Sequence, residues 1–145
     1  MGVYDETKAI NGTYGEVFLD GVTVREATAL QANISLDFLD VPMCGDLAKH
    51  RKVSGSTGTG TLTMTKVNSR MAILLSEMIK AGKTPSFTII SKLADPDSYG
   101  AERVVLKNVQ FDSLTLADWQ SNTIGTVTQN FSFTDWEYLD MIDPR

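Results

Sequence analysis

Ser54-Gly-Ser-Thr-Gly-Thr-Gly-Thr-Leu-Thr-Met-Thr-Lys66 puts threonine at 57, 59, 61, 63 and 65, with Gly58, Gly60, Leu62 and Met64 between. A period of two marks a β-strand, whose successive side chains point to opposite faces. One face here is small, hydroxylated and uncharged. The other grades from glycine into apolar residues. An ordinary surface strand mixes in Lys and Glu, so a long face without charge reads as a wall or a lining.

The neighbouring segments extend this reading. Residues 22–38 are expected to form one long strand, with Leu30, Ala32, Ile34, Leu36 and Phe38 on one face and Gln31, Asn33, Ser35 and Asp37 on the other. The hydroxyl face recurs in residues 123–138, where Thr126, Thr128, Asn130, Ser132 and Thr134 alternate with Val127, Phe131 and Phe133. Residues 14–19 form a short strand ending at Asp20-Gly21, a strong hairpin signal between apolar runs. Residues 86–93 and 102–116 are further strands, the second bent near Asp112-Ser113.

Residues 68–81 read as the one helix. Asn68 or Ser69 caps it, Gly82 ends it, and Met71, Leu74, Leu75 and Met78 form its apolar stripe opposite Arg70, Glu77 and Lys80. Residues 94–100 and 118–122 are turns by composition. Residues 1–13 are expected to be a flexible N-terminal arm. Residues 39–53, with Pro42 and Gly45 breaking the pattern, are expected to be a long inter-strand loop. Strands dominate. The expected fold is mainly β (α+β): two packed antiparallel sheets forming a barrel-like sandwich with one flanking helix, in a single domain over 1–145.

A chain of 145 residues is long enough for a real core. With 42% apolar and 21% charged residues it has an ordinary globular composition. The net charge of −5 gives no basic footprint for gripping nucleic acid, and Lys49, Arg51 and Lys52 read as a solvated turn. Cys44 is the only cysteine, so no intrachain disulfide forms. The N-terminus carries no basic and apolar signal pattern. No apolar run approaches the roughly 20 residues of a membrane span, and no membrane partner is expected.

The enzymatic motifs fail in turn. Gly82-Lys83-Thr84 ends like a phosphate-binding loop, but the required upstream glycine is Glu77 and the segment follows a helix instead of opening one. It reads as a helix cap. Gly55, Gly58 and Gly60 lead into a strand, unlike a dinucleotide fingerprint; they read as relief of crowding or room for a close neighbour. Cys44 and His50 are too few for a structural zinc site and sit where a catalytic pair lacks support. Asp135, Glu137, Asp140 and Asp143 read as a solvated acidic tail, and Trp119 and Trp136, placed on strands, as core or contact residues. No catalytic residue, cofactor or metal ligand is assigned, and the chain is not expected to be an enzyme.

The chain resembles the tail tube protein of contractile-tailed phages, in the branch typified by the defective phage PBSX. The resemblance runs from about Gly15 to about Leu139. It is carried by Gly15-Glu-Val-Phe-Leu-Asp-Gly21, Gly58-Thr-Gly-Thr-Leu-Thr63 followed by Lys66-Val67 and the helix, and Gly82-Lys-Thr-Pro-Ser-Phe-Thr-Ile89. Glu102-Arg-Val-Val-Leu-Lys-Asn-Val-Gln-Phe-Asp-Ser113 is its most specific stretch, and Phe131-Ser-Phe-Thr134 closes it. No single motif is diagnostic; order and spacing carry the match. It implies a fold like that of phage tail tubes and the related Hcp protein of type VI secretion, with hexameric rings stacked into a tube that passes DNA without sequence-specific binding. It implies sheath, tape-measure and baseplate proteins as partners, a place in the virion tail, and synthesis in the bacterial cytoplasm.

A channel for DNA should not bind phosphate, and neutral hydroxyl and amide groups meet that need. The residues expected to face the lumen are Asn33, Ser35, Asp37, Thr57, Thr59, Thr61, Thr63, Thr126, Thr128, Asn130 and Ser132. Outward solvent is the other place such a face can point, because a one-residue change of register turns a strand around. Leu39, Val41, Pro42, Met43 and Leu47 are expected to make subunit or ring contacts. Two alternatives stand beside the phage tube. One is a bacteriocin or type VI secretion tube with different cargo. The other is a small-molecule-binding β-barrel, which requires an enclosed apolar cavity.

Overall fold

A computed structural model describes residues 5–144. Its strands are β1 (Gly15–Leu19), β2 (Val22–Thr23), β3 (Ala27–Val41), β4 (His50–Thr65), β5 (Phe87–Leu93), β6 (Glu102–Phe111), β7 (Thr126–Phe133) and β8 (Asp135–Asp140), with helix α1 (Arg70–Lys80) between β4 and β5. They form one 8-stranded antiparallel sheet in the order β2-β1-β5-β6-β7-β4-β3, with β8 also paired to β6. The two packed sheets and the barrel expected from the sequence are replaced by one open sheet. β2 and β3 lie at opposite ends of the order and do not pair. One hydrophobic core nevertheless joins both halves: Leu62, Met64, Phe131 and Phe133 from β4 and β7 share it with Val17, Leu19, Ile89 and Leu106 from β1, β5 and β6.

Local chemistry accounts for the elements. Asp20 and Gly21, with φ of 50° and 84°, make the β1–β2 turn that the sequence signals. β2 and β3 replace the single long strand expected over 22–38, because the chain bends between Thr23 and Ala27. The loop expected over residues 39–53 is confined to 42–49: β3 runs to Val41, β4 begins at His50, and Val41 pairs with His50. Pro42 and Gly45 confine the irregular part to the hairpin tip. The last long strand is β7 and β8 in line, interrupted at Thr134. There Asn108, at φ 55°, donates through Nδ2 to Thr134 Oγ1 at 3.1 Å, beside a register shift in the β5–β6 ladder.

Helix α1 buries Met71 and Leu75 on the core. Asn68 Oδ1 accepts from Arg70 N at 3.1 Å near its start, whereas Ser69 makes no side-chain cap bond. At its end Gly82 N–H donates to Ile79 O and Lys83 N–H to Met78 O, with Gly82 at φ 71°. This is the Schellman arrangement, so the Gly82-Lys83 pair is a cap. The described part of the arm carries two 3₁₀ turns, Glu6–Lys8 and Gly12–Tyr14, and Asn11 N donates to the buried Asp95 carboxylate at 2.9 Å. Residues 1–4 lie outside the described residues.

A part-buried ion pair ties the β2–β3 connection to the helix. Arg70 Nε donates to Glu26 Oε1 at 2.7 Å and Nη2 to Oε2 at 3.3 Å. The Arg70 guanidinium holds the Glu26 carboxyl below its ordinary range, against the opposing effect of burial. A lowered carboxyl pKa contributes stability that is complete above the unfolded value, about 4.3, and is lost as pH falls through the folded one. Glu26→Gln is expected to cost about 2 kcal/mol at pH 7, in the range for a charge-assisted hydrogen bond, and less at pH 3. Urea titrations of both proteins at the two pH values check this; equal losses at both would remove the ionic contribution.

Candidate functional site

The polar positions of β3, β4 and β7 stand in continuous cross-strand rows. Asn33 lies opposite Thr59, which lies opposite Ser132; Gln31 faces Thr61, which faces Asn130; Ala29 faces Thr63, which faces Thr128. Ser35 pairs with Thr57, Asp37 with Gly55, and Thr65 with Thr126. Thr61 Oγ1 donates to Asn130 Oδ1 at 3.0 Å, one rung of this face. The structure therefore brings together all the residues the sequence nominated for the lumen. They are exposed or half-buried, and they form one surface across three strands. A polar hollow of about 370 Å³ lies on it between Gln31, Asn33, Thr59, Thr61, Asn130 and Asp112. Asp37 and Asp112 add negative charge to the face.

The opposite face explains the glycines. A Cβ on Gly60 would lie 2.4 Å from Phe131 Cζ and 2.5 Å from Gln31 O, and one on Gly58 would lie 2.6 Å from Phe133 O. The phenylalanine rings of β7 thus lie against the bare backbone of β4. Gly58 and Gly60 are there so that large rings can seat on the neighbouring strand. Gln129 occupies the inward set of positions as well and is 1% exposed, with its carboxamide oxygen unpaired among the described residues.

The distal part of the β3–β4 ribbon has a different character. β7 pairs with β4 only from Gly58 to Thr65, so the ribbon beyond Gly58 projects without a third strand. Leu36, Phe38, Leu39, Val41, Met43, Leu47 and Val53 are all exposed on it, Leu39 at 64%. Pro42 is exposed at the tip as well. The Arg51 guanidinium sits 3.8 Å from the Phe38 ring centroid, a cation–π contact that shields part of this surface. At the tip His50 Nε2 meets Asp46 Oδ2 at 2.7 Å, and this bond, with the Ala48 N–H, holds the Asp46 carboxyl below its ordinary range. A two-stranded ribbon is marginal in water by itself, and one carrying this much apolar surface has the composition of a contact element.

A family model described as phage tail tube protein matches residues 2–140. The chain belongs to that family. It is 37% identical over 109 residues to the phage-like element PBSX protein XkdM of Bacillus subtilis (strain 168), covering 74% of each chain. Among solved structures, a chain of the anti-feeding prophage tube-terminating cap superposes with a TM-score of 0.71 at 16% identity, covering 97% of this chain and 95% of that one. A chain of the PVC extracellular contractile injection system, in its extended sheath–tube complex, superposes with a TM-score of 0.69 at 14% identity, covering 91% and 92%. At these identities the superpositions speak for the fold. The family and these neighbours are structural tube proteins, not enzymes.

The remaining candidates of this tail tube chain fall into place as structural features. Glu137 and Asp140 lie on β8 and pair with Lys107 at 3.2 Å and Arg103 at 3.5 Å, so this part of the acidic run is a strand edge, not a tail. Trp136 lies on β8 as expected. Trp119 does not lie on a strand: it sits in the β6–β7 connection and is 85% exposed. The sequence carried a signal for this, since Asp118 to Asn122 reads as a turn and a tryptophan inside a turn has no core to enter.

Proposed function

We propose that this chain is the tube subunit of a contractile phage or prophage tail, assembling as stacked six-membered rings with the threonine face turned to a channel that passes DNA. The observation that carries the reading is the uninterrupted hydroxyl-and-amide face of β3, β4 and β7, which is nearly free of charge and rises beside the unpaired outer edge of β3. A long free strand edge is a template for pairing with another chain. A subunit that closes a ring uses that edge, and the same pairing extends the smooth face around a lumen. Neutral and negative groups there let DNA slide without counterion-release binding. The projecting ribbon, with Leu39, Val41, Pro42, Met43 and Leu47, then makes the contacts between subunits or rings. Sheath, tape-measure and baseplate proteins are the expected partners, and the tail of the particle the expected location.

Electron microscopy of the purified protein, concentrated or seeded with baseplates, should show stacked rings or tubes. A particle that stays monomeric and never joins a tail overturns the reading. Replacing Thr59 and Thr61 with lysine should leave tubes intact but slow genome ejection, because two cations per subunit would line the channel. Ejection at the normal rate would place the threonines outside the lumen.

The fold neighbour from an extracellular contractile injection system favours a second reading, an injection-device tube with a cargo other than DNA. The genes beside this one separate the two: capsid genes indicate DNA, and a sheath and baseplate without a capsid indicate an injection device.

A further inference from the structure

Gln129 is 1% exposed, and its carboxamide oxygen has no hydrogen-bond partner among the described residues. Leaving a buried acceptor unpaired is costly, so such an atom calls for an explanation. Gln129 lines a cavity of about 130 Å³ between the end of β4, β7, the start of α1 and the β6–β7 connection. The first turn of α1 borders the same cavity through Ser69, Arg70, Met71 and Ala72. Asn68 takes up the Arg70 N–H, Ser69 makes no side-chain cap bond, and the helical bonds begin at the Ile73 N–H. The Met71 and Ala72 N–H groups are therefore without a partner among the described residues. Met64, Leu114 and Val127 supply apolar wall.

We propose that this cavity binds a small neutral molecule that carries a hydroxyl or primary amide on a compact apolar body. A group that both donates and accepts serves Gln129 Oε1 and the helix N–H groups together. An unprotonated carboxylate or phosphate would set its oxygens against Gln129 Oε1 and the Glu26 carboxylate, which is also on the wall. A cation would face the positive end of the helix, Arg70 and Lys66. Water meets the two polar needs as well. The cavity, however, exceeds one water's share of liquid volume, about 30 Å³, several times over. Water against methionine, leucine and valine also gains less than an apolar body does. An apolar cavity of about 150 Å³ takes up benzene, so the volume here suits a single ring. The site is built within one chain and does not depend on the tube reading.

Calorimetric titration of the unaltered chain with phenol, benzene and benzoate at neutral pH provides the test. Phenol should bind on the order of tenfold more tightly than benzene, the worth of about one net hydrogen bond, and more tightly than benzoate. Gln129→Met, close in volume and without the acceptor, should bring phenol to within about twofold of benzene. In the unaltered chain phenol should also shift the amide resonances of Met71 and Ala72 and leave those of the distal ribbon in place, a readout that stands even where the variant fails to fold. No saturable binding of phenol means that the cavity takes water only, and overturns the proposal. Equal affinities for phenol and benzene, tighter binding of benzoate, or amide shifts that bypass Met71 and Ala72 overturn it too. So does a folded Gln129→Met protein that keeps the preference for phenol.

Discussion

Gly60→Ala is expected to destabilise the fold by about 3 kcal/mol, the upper part of the range for overpacking a well-filled core. The added methyl would meet the Phe131 ring at 2.4 Å and the Gln31 carbonyl at 2.5 Å. The ring is 1% exposed and cannot swing out, since it packs edge-on to Phe111 with centroids 6.1 Å apart and beside Phe133. The carbonyl belongs to the β3 backbone and cannot move without loosening the β3–β4 ladder. Alanine gains roughly 0.5–1 kcal/mol over glycine from chain entropy in a strand, which is too little to compensate. Phe131→Leu in the Gly60→Ala background should restore part of the loss, because it removes the ring but not the carbonyl. Denaturant titrations of the two single variants and the double variant measure that coupling. A Gly60→Ala protein as stable as the original would mean that the two strands lie further apart than described.

The second large effect concerns assembly, not folding. Replacing residues 42–49 by Asn-Gly closes the ribbon directly, because Val41 and His50 are already paired and two residues of this type suit a hairpin turn. The tip side chains removed, Pro42, Met43 and Leu47 among them, are exposed and contribute nothing to the core. The melting temperature should therefore shift by no more than a few degrees, in keeping with a change under about 1 kcal/mol. Tube formation should be lost at concentrations where the unaltered chain is fully assembled. Normal tubes from the shortened hairpin would show that the tip is a spacer, and that the contacts lie lower on the ribbon or elsewhere.

Both predictions depend on features that the sequence carried unequally. The alternation of Thr57 to Thr65 with Gly58, Gly60, Leu62 and Met64 marked a strand with two chemically distinct faces, and the echo in Thr126 to Ser132 marked a second. Period-two patterning is written in side chains, so it is legible without coordinates. The Asp20-Gly21 turn and the Gly82 cap were legible for a similar reason: each demands a backbone conformation that few residues tolerate. Residues 39–53 read as a loop because Pro42, Gly45 and mixed charges lie close together, and because Leu39, Val41 and Val53 have no core to alternate against. A strand exposed on both sides lacks the periodic signature that burial imposes.

What the sequence determined by itself is therefore the alphabet of this protein: strands, their faces, one capped helix, and the order of motifs that marks the tail tube family. Which strands adjoin was decided only in the tertiary structure. Backbone hydrogen bonds hold the sheet together, and they carry no residue-specific mark of their partner. Only the register of β3, β4 and β7 shows that the separate hydroxyl positions merge into one surface, and that Gly58 and Gly60 lie beneath Phe133 and Phe131. The open edge of β3 and the exposure of Trp119 are likewise outcomes of packing. They depend on what lies next to a residue in space, which a single chain of letters does not state.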